Sequence, residues 1–143
     1  MSTGLEKRFG FLVADVARLI GTQFDQQARG RINLPRAQCR VVVYLCNFGE
    51  MNQTQLADML EVTPMTVVRM LDRMEEGGWV KRIDDPNDRR ALRVVATAKA
   101  ERLESQILGL GDEVTATALQ GLSAQEKTTL INLLIKVKTN ITT

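Results

Sequence analysis

The sequence predicts a mainly α-helical chain with one small β-hairpin. Three observations carry this. Apolar residues recur at three- and four-residue spacing over most of the 143 positions. The spacing changes once to strict alternation, across residues 79–96. Helix caps and breakers stand at the boundaries: Asn52, Thr63-Pro64, Gly77-Gly78, Thr97, Gly121 and Ser123. The length suits a single domain over 1–143 with a real core.

The elements follow in order. From Leu5 to about Ala28, Phe9, Leu12, Val13, Val16, Leu19, Ile20 and Phe24 form one helical stripe. Gly30 and Asn33 end it. Pro35 suits the first position of a second helix, which runs to about Asn47. That helix is rich in β-branched residues (Val41, Val42, Val43), so burial rather than propensity must hold it. A short helix over Asn52–Leu60 starts with a capping box, Asn52 with Gln55. After the turn Glu61-Val62-Thr63, Thr63 caps a further helix with Pro64 at its first position. This helix stops at Gly77-Gly78. Two alternating segments follow, one on Trp79, Lys81 and Ile83, the other on Leu92, Val94 and Ala96. Thr97 caps a long helix to about Leu119. Gly121 breaks it, Ser123 and Glu126 make a second capping box, and Leu130, Leu133, Leu134, Val137 and Ile141 mark the last helix.

Composition narrows the function. The chain has no histidine, which excludes Ser-His and Cys-His nucleophile pairs and imidazole metal ligands. Two cysteines, Cys39 and Cys46, cannot alone make a structural zinc site. No Gly-rich phosphate loop or metal cluster stands out, so neither an enzyme nor a cofactor is expected. No stretch reaches the roughly 20 apolar residues of a membrane span. The segment Phe9–Ile20, broken by Asp15 and Arg18, lacks a cleavage pattern, so a cytoplasmic location is expected. Net charge is only +2, yet it is unevenly spread. Residues 1–40 carry seven basic and three acidic side chains, and residues 41–62 carry three acids and no base. Any anion-binding surface has to be built by the fold.

Residues 52–78 make a helix-turn-helix candidate: a short helix, a three-residue turn and a longer capped helix. Ala57 is small where the helices would cross. In the longer helix Val67, Met70, Leu71 and Met74 form the inner stripe. Met65, Thr66, Val68, Arg69, Asp72, Arg73 and Glu76 face outward. Small and medium side chains therefore lead, and two arginines follow one turn apart. That order suits entry into a DNA major groove by the helix N-terminus, where free N–H groups favour phosphate and Arg can bond guanine. An ordinary solvated surface helix has the same pattern. The hairpin directly after it favours the DNA reading, because helix-turn-helix plus hairpin is a winged helix, whose tip lies along the backbone or in the minor groove.

The hairpin tip reads D-D-P-N-D-R-R-A-L-R-V over residues 84–94. Asp85, Pro86 and Asn87 suit a tight turn. A calcium loop would need a central glycine and a distal glutamate, and neither is here. A plain solvated turn accounts for Asp, Pro and Asn but not for two adjacent arginines.

The run D-P-N-D-R-R-A-L-R-V, followed by A-T-A-K-A (96–100), resembles the wing and wing-to-helix junction of the multiple-antibiotic-resistance regulator (MarR) family, SlyA-like branch. L-P-R-A-Q-C-R-V-V-V-Y-L (34–45) is similar to that family's second helix. N-Q-T-Q-L-A (52–57) and T-P-M-T-V-V-R-M-L-D-R-M-E-E-G-G-W-V-K-R (63–82) resemble its helix-turn-helix. The resemblance covers nearly the whole chain. It implies a homodimeric winged-helix transcription regulator, most often a repressor, on a pseudopalindromic double-stranded DNA operator. It places a winged lobe at 34–99 with its wing at 79–96, and dimerisation helices at 1–33 and 100–143.

Site expectations follow from both lines. The recognition helix offers Thr63, Pro64, Met65, Thr66, Val68, Arg69 and Arg73 to DNA. In the wing, the resemblance makes Arg90 the minor-groove probe and Asp88 its brace, while Arg89 is either a phosphate contact or a solvated neighbour. Phe9, Leu12, Val16, Leu130, Leu134, Val137 and Ile141 are expected at the dimer interface. A small anionic, aromatic or phenolic effector is implied by the resemblance alone, and no residues are assigned to it. Several positions depart from the family pattern. Pro35 replaces the threonine that often opens the second helix, Ala96-Thr97 replaces leucine-threonine, and Ala100 replaces a glycine. Val68 stands where Thr or Ser is common, which points base preference toward a thymine methyl. Cys39 and Cys46, about 10.5 Å apart on one helix face, are beyond intrachain disulfide reach and read as buried, inert thiols. A disulfide between subunits is left open. Trp79 is expected to anchor the hairpin on the recognition helix. The competing reading is a winged-helix module that binds protein and not DNA.

Overall fold

The structure is a computed structural model that describes residues 3–142; the side chains of residues 89–91 lie outside the described residues. The chain is mainly helical with a three-stranded antiparallel sheet. The first helix is shorter than its apolar stripe suggested. Leu5–Lys7 form one 3-10 turn, Arg8 is extended, and α1 runs Phe9–Ala28. The 3-10 turn buries no residue, so no packing holds it in register with α1. Next comes α2, Arg36–Phe48, which ends at Gly49 with φ 80°. Pro35 is its N-cap, not its first helical residue, because its ψ of 149° is still extended. Cys39, Val41, Val42 and Leu45 are buried, which explains how so β-branched a helix is held.

The third strand was not expected. β1, Met51–Asn52, pairs Met51 with Val94 and Asn52 with Arg93. Two residues are too few for alternation to show in a sequence. The pairing makes the strand after the hairpin turn the central one of the three. α3, Gln53–Leu60, has the expected capping box: Gln55 N donates to Asn52 Oδ1 at 2.7 Å and Asn52 N donates to Gln55 Oε1 at 3.0 Å. It ends at Glu61, a left-handed residue with φ 57°. α4, Pro64–Glu76, is capped by Thr63, whose Oγ1 accepts from Thr66 N at 3.1 Å. Gly78, with φ 78°, turns the chain away.

β2 (Val80–Asp85) and β3 (Asp88–Ala96) reach closer to the tip than the alternation indicated. Val80 pairs with Ala96, Arg82 with Val94 and Asp84 with Leu92. The register then shifts, and Asp85 faces Asp88 across Pro86-Asn87. α5 (Ala98–Ala118) follows the Thr97 cap, and α6 (Ala124–Ile141) follows the Ser123–Glu126 capping box.

One core joins these elements. Val41 and Val42 of α2, Leu56 of α3, Val67, Leu71 and Met74 of α4, Val80 and Val94 of the sheet, and Ala100 and Leu110 of α5 are essentially inaccessible. α1 adds only Ala28 as a buried residue, and α6 adds none of its 18. Outside the core, Arg31 and Glu113 meet in a two-pronged ion pair with both contacts at 2.9 Å, and Gln106 Nε2 donates to Arg31 O. These fasten the segment after α1 to α5.

Candidate nucleic-acid interface

The apolar stripe of α4 fixes its outer face. Val67, Leu71 and Met74 point into the core, so Thr63, Pro64, Met65, Thr66, Val68, Arg69 and Arg73 are all exposed, as the spacing predicted. Met65 is the most open of the apolar ones, at 66%. Met70, counted with the inner stripe, is half-buried. The Thr63 and Thr66 hydroxyls lie 2.9 Å apart and bond to each other. Arg69 folds back one turn, with Nη2 3.8 Å from Met65 Sδ. Arg73 has no ion-pair partner among the described residues. The face therefore offers two cationic forks behind an apolar tip.

The hairpin is tied to this helix by Arg82, the last residue of the 63–82 run and one with no role assigned by the sequence. Arg82 of β2 reaches Asp72 at 2.7 Å and Glu75 at 2.9 Å, both on α4. Its backbone N–H also donates to Glu75 Oε2 at 3.0 Å. The side-chain bond from Arg82 holds the Glu75 carboxyl below its usual range, and Glu75 in turn raises the Arg82 guanidinium. Helical spacing gives no signal for this contact, because Arg82 lies on β2, beyond the Gly77-Gly78 turn that ends α4. Behind the hairpin, Lys99 Nζ donates to Gly77 O at 2.6 Å and sits 4.2 Å above the Trp79 ring. Thr97 Oγ1 donates to Gly78 O at 2.6 Å. Trp79 is half-buried against the core at the α4–β2 junction, with its indole beside Gly77.

At the tip, Asp85 Oδ1 accepts from Asn87 N at 2.8 Å, which makes the expected turn. The other oxygen of Asp85 lies 3.4 Å from Arg93 Nε, an electrostatic contact poorly aligned for a hydrogen bond. Arg93 also meets Glu50 at 3.1 Å. Asp85 is thus neutralised within the hairpin. Asp88 begins β3 and is exposed. Arg89 and Arg90 lie on β3, but their side chains, and so the expected probe and its contact with Asp88, lie outside the described residues.

The other expected surface sits on α1 and α6. Phe9, Leu12, Val16, Leu134 and Ile141 are exposed, and Leu130 and Val137 are half-buried. Phe11, Leu19, Ile131, Leu133 and Ile135 widen the patch. Between α1 and α5 lies an open apolar groove of about 270 Å³, lined by Val16, Leu19, Ile20, Gln23, Val114, Thr117 and Ala118. Cys39 is buried and Cys46 half-buried, and burial is the first cause that pushes both thiols up to about 11. Among the described residues no three His, Cys, Asp or Glu gather as metal ligands, and no helix is long and apolar enough to cross a membrane.

Residues 34–92 match the model of the MarR family. Solved structures share the fold over most of the chain. A mutant of MarR from E. coli, complexed with operator DNA, is 27% identical with a TM-score of 0.78, over 96% of this chain and 99% of that one. A probable transcriptional regulator from Pseudomonas aeruginosa is 29% identical with a TM-score of 0.73, over 93% and 98%. The transcriptional regulator SlyA is 26% identical with a TM-score of 0.76, over 90% of each chain.

Proposed function

We propose that this chain, which over residues 34–92 matches the MarR family of transcription regulators, works as a homodimer on a pseudopalindromic operator in double-stranded DNA, as a repressor. The observation that carries the DNA reading is the joint geometry of α4 and the hairpin. An exposed helix face with Arg69 and Arg73 is braced through Arg82 to a hairpin that bears Arg89 and Arg90 on β3. The two readers are therefore presented as one rigid unit, which saves ordering cost on binding. The operator complex solved for the E. coli MarR mutant supports the same use here.

The dimer reading is supported by α1 and α6. Two amphipathic helices that leave this much apolar surface in water are unstable alone, and a self-complementary patch is the commonest way to cover it. The winged lobe would be 34–99, and the segments 1–33 and 100–143 would build the interface. Half-sites would then lie about one helical turn, roughly 34–36 Å, apart. Repression is steric, since a bound dimer occludes the operator. A small aromatic or anionic effector would act by changing the spacing of the lobes, and the apolar groove between α1 and α5 offers it volume.

The test is a salt-dependent duplex titration of the wild type and Arg90→Ala. The wild type should bind, with a log affinity that falls linearly in log salt. The variant should bind more weakly, with a slope shallower by about one unit, and remain a dimer. A wild type that binds no duplex at low salt would leave the protein-binding module as the better reading.

A further inference from the structure

The tip of α4 carries more than positive charge. Among its outward positions Met65 and Val68 are apolar, three residues apart and so on one face of the helix. Both are exposed, Met65 at 66% and Val68 at 37%. Neither belongs to the core stripe of Val67, Leu71 and Met74, so packing gives no reason for two apolar side chains in water. The polar groups beside them are already engaged. Thr63 Oγ1 accepts from Thr66 N, and the two hydroxyls bond to each other at 2.9 Å. The cap that starts the helix thus turns its hydroxyls inward on itself. Arg69 lays its guanidinium against Met65, Nη2 to Sδ at 3.8 Å, a weak contact that leaves its other donors free.

We propose that Met65 and Val68 form an apolar contact that reads the 5-methyl group of a thymine in the major groove, beside a guanine bonded by Arg69. The proposal rests on the DNA-binding reading above and assigns it a base preference. Thymine is the only base whose major-groove edge ends in a methyl group, and apolar side chains discriminate it by contact. Guanine presents O6 and N7, which match the Arg fork. An apolar pair of which Met65 touches Arg69 therefore fits a thymine next to a G·C pair, and fits poorly the polar edges of adenine or cytosine. Thr66, with its hydroxyl held in the cap, contributes at most its own methyl to the same surface.

The test uses a duplex the wild type binds, in which each thymine is replaced in turn by deoxyuridine. The replacement removes the methyl and leaves base pairing intact. One thymine in each half-site should be sensitive, with affinity falling about fourfold per half-site, the weight of one methyl-sized group leaving water. Val68→Ala and Met65→Ala should bind the thymine and uracil duplexes equally. Both positions are exposed and alanine favours the helix, so both variants should melt like the wild type. Indifference of the wild type at every thymine would overturn the proposal while leaving DNA binding intact. So would a loss that persists undiminished in both variants. A wild type that binds no duplex at all would instead remove the DNA-binding reading beneath it.

Discussion

Arg82 ties the hairpin to α4, because one guanidinium spans Asp72 and Glu75 on that helix. Arg82 is largely covered but its two carboxylate partners are exposed, and ion pairs open to solvent on one side contribute little to stability, so their worth here is positional. The double variant Asp72→Asn, Glu75→Gln should keep its helix content by circular dichroism. It should bind duplex more weakly, and the residue 82 amide, no longer bonded to a carboxylate, should exchange faster. Undiminished duplex affinity would mean that the brace does not matter. The acid limb of stability belongs to the same scale. Glu75, Glu113 and Glu126 all have folded values below the ordinary 4.5. Their contribution is full above that value and is lost as pH falls through the lowered folded values. Denaturant midpoints should therefore drop on acidification below about pH 4.5, and less steeply in Glu113→Gln. The thiols point the other way. With both near 11, only about one in a thousand is ionised at pH 8, so thiol reagents should react slowly until the chain unfolds. The outward set on α4 was legible because a 3.6-residue period fixes it once the core face is known. Arg82, Lys99 and the Asp85–Arg93 contact were not, because they join residues that only the hairpin's path brings together.

At the scale of elements, the helix starts were readable and the sheet only in part. Asn52, Thr63, Thr97 and Ser123 cap the helices they were expected to cap, since an N-cap is a local bond between side chain and backbone. Asn52→Ala should cost about 1 kcal/mol in denaturant unfolding. Glu61 offers the opposite case. It holds φ 57° at the end of α3, a conformation that costs a side-chain-bearing residue about 1–2 kcal/mol. Glu61→Gly should raise stability by roughly 0.5 kcal/mol after glycine's own entropy is subtracted. β1 escaped notice because two residues show no periodicity, and Pro35 proved a cap because φ alone does not commit proline to a helix.

For the whole molecule, the deciding feature is the apolar surface of α1 and α6. It could be read from spacing as an amphipathic stripe, but a stripe does not say whether its cover is the same chain or another. The fold narrows this, since α6 buries none of its residues against its own chain. Val16→Asp with Leu134→Asp should convert a sedimenting dimer to monomer or aggregate, and the melting temperature of the wild type should rise with protein concentration. If the wild type sediments as a monomer at micromolar concentration, the homodimer is wrong. Dimer symmetry, the α4 face and the braced wing all converge on one observable, the pattern of the DNA that is bound. Selection of duplexes from a random pool tests it most directly. The expected result is an inverted repeat whose half-sites are centred about one helical turn apart, with a thymine beside a G·C pair in each. Enrichment of no sequence, or of a single motif without its inverted copy, would contradict a symmetric DNA-reading dimer.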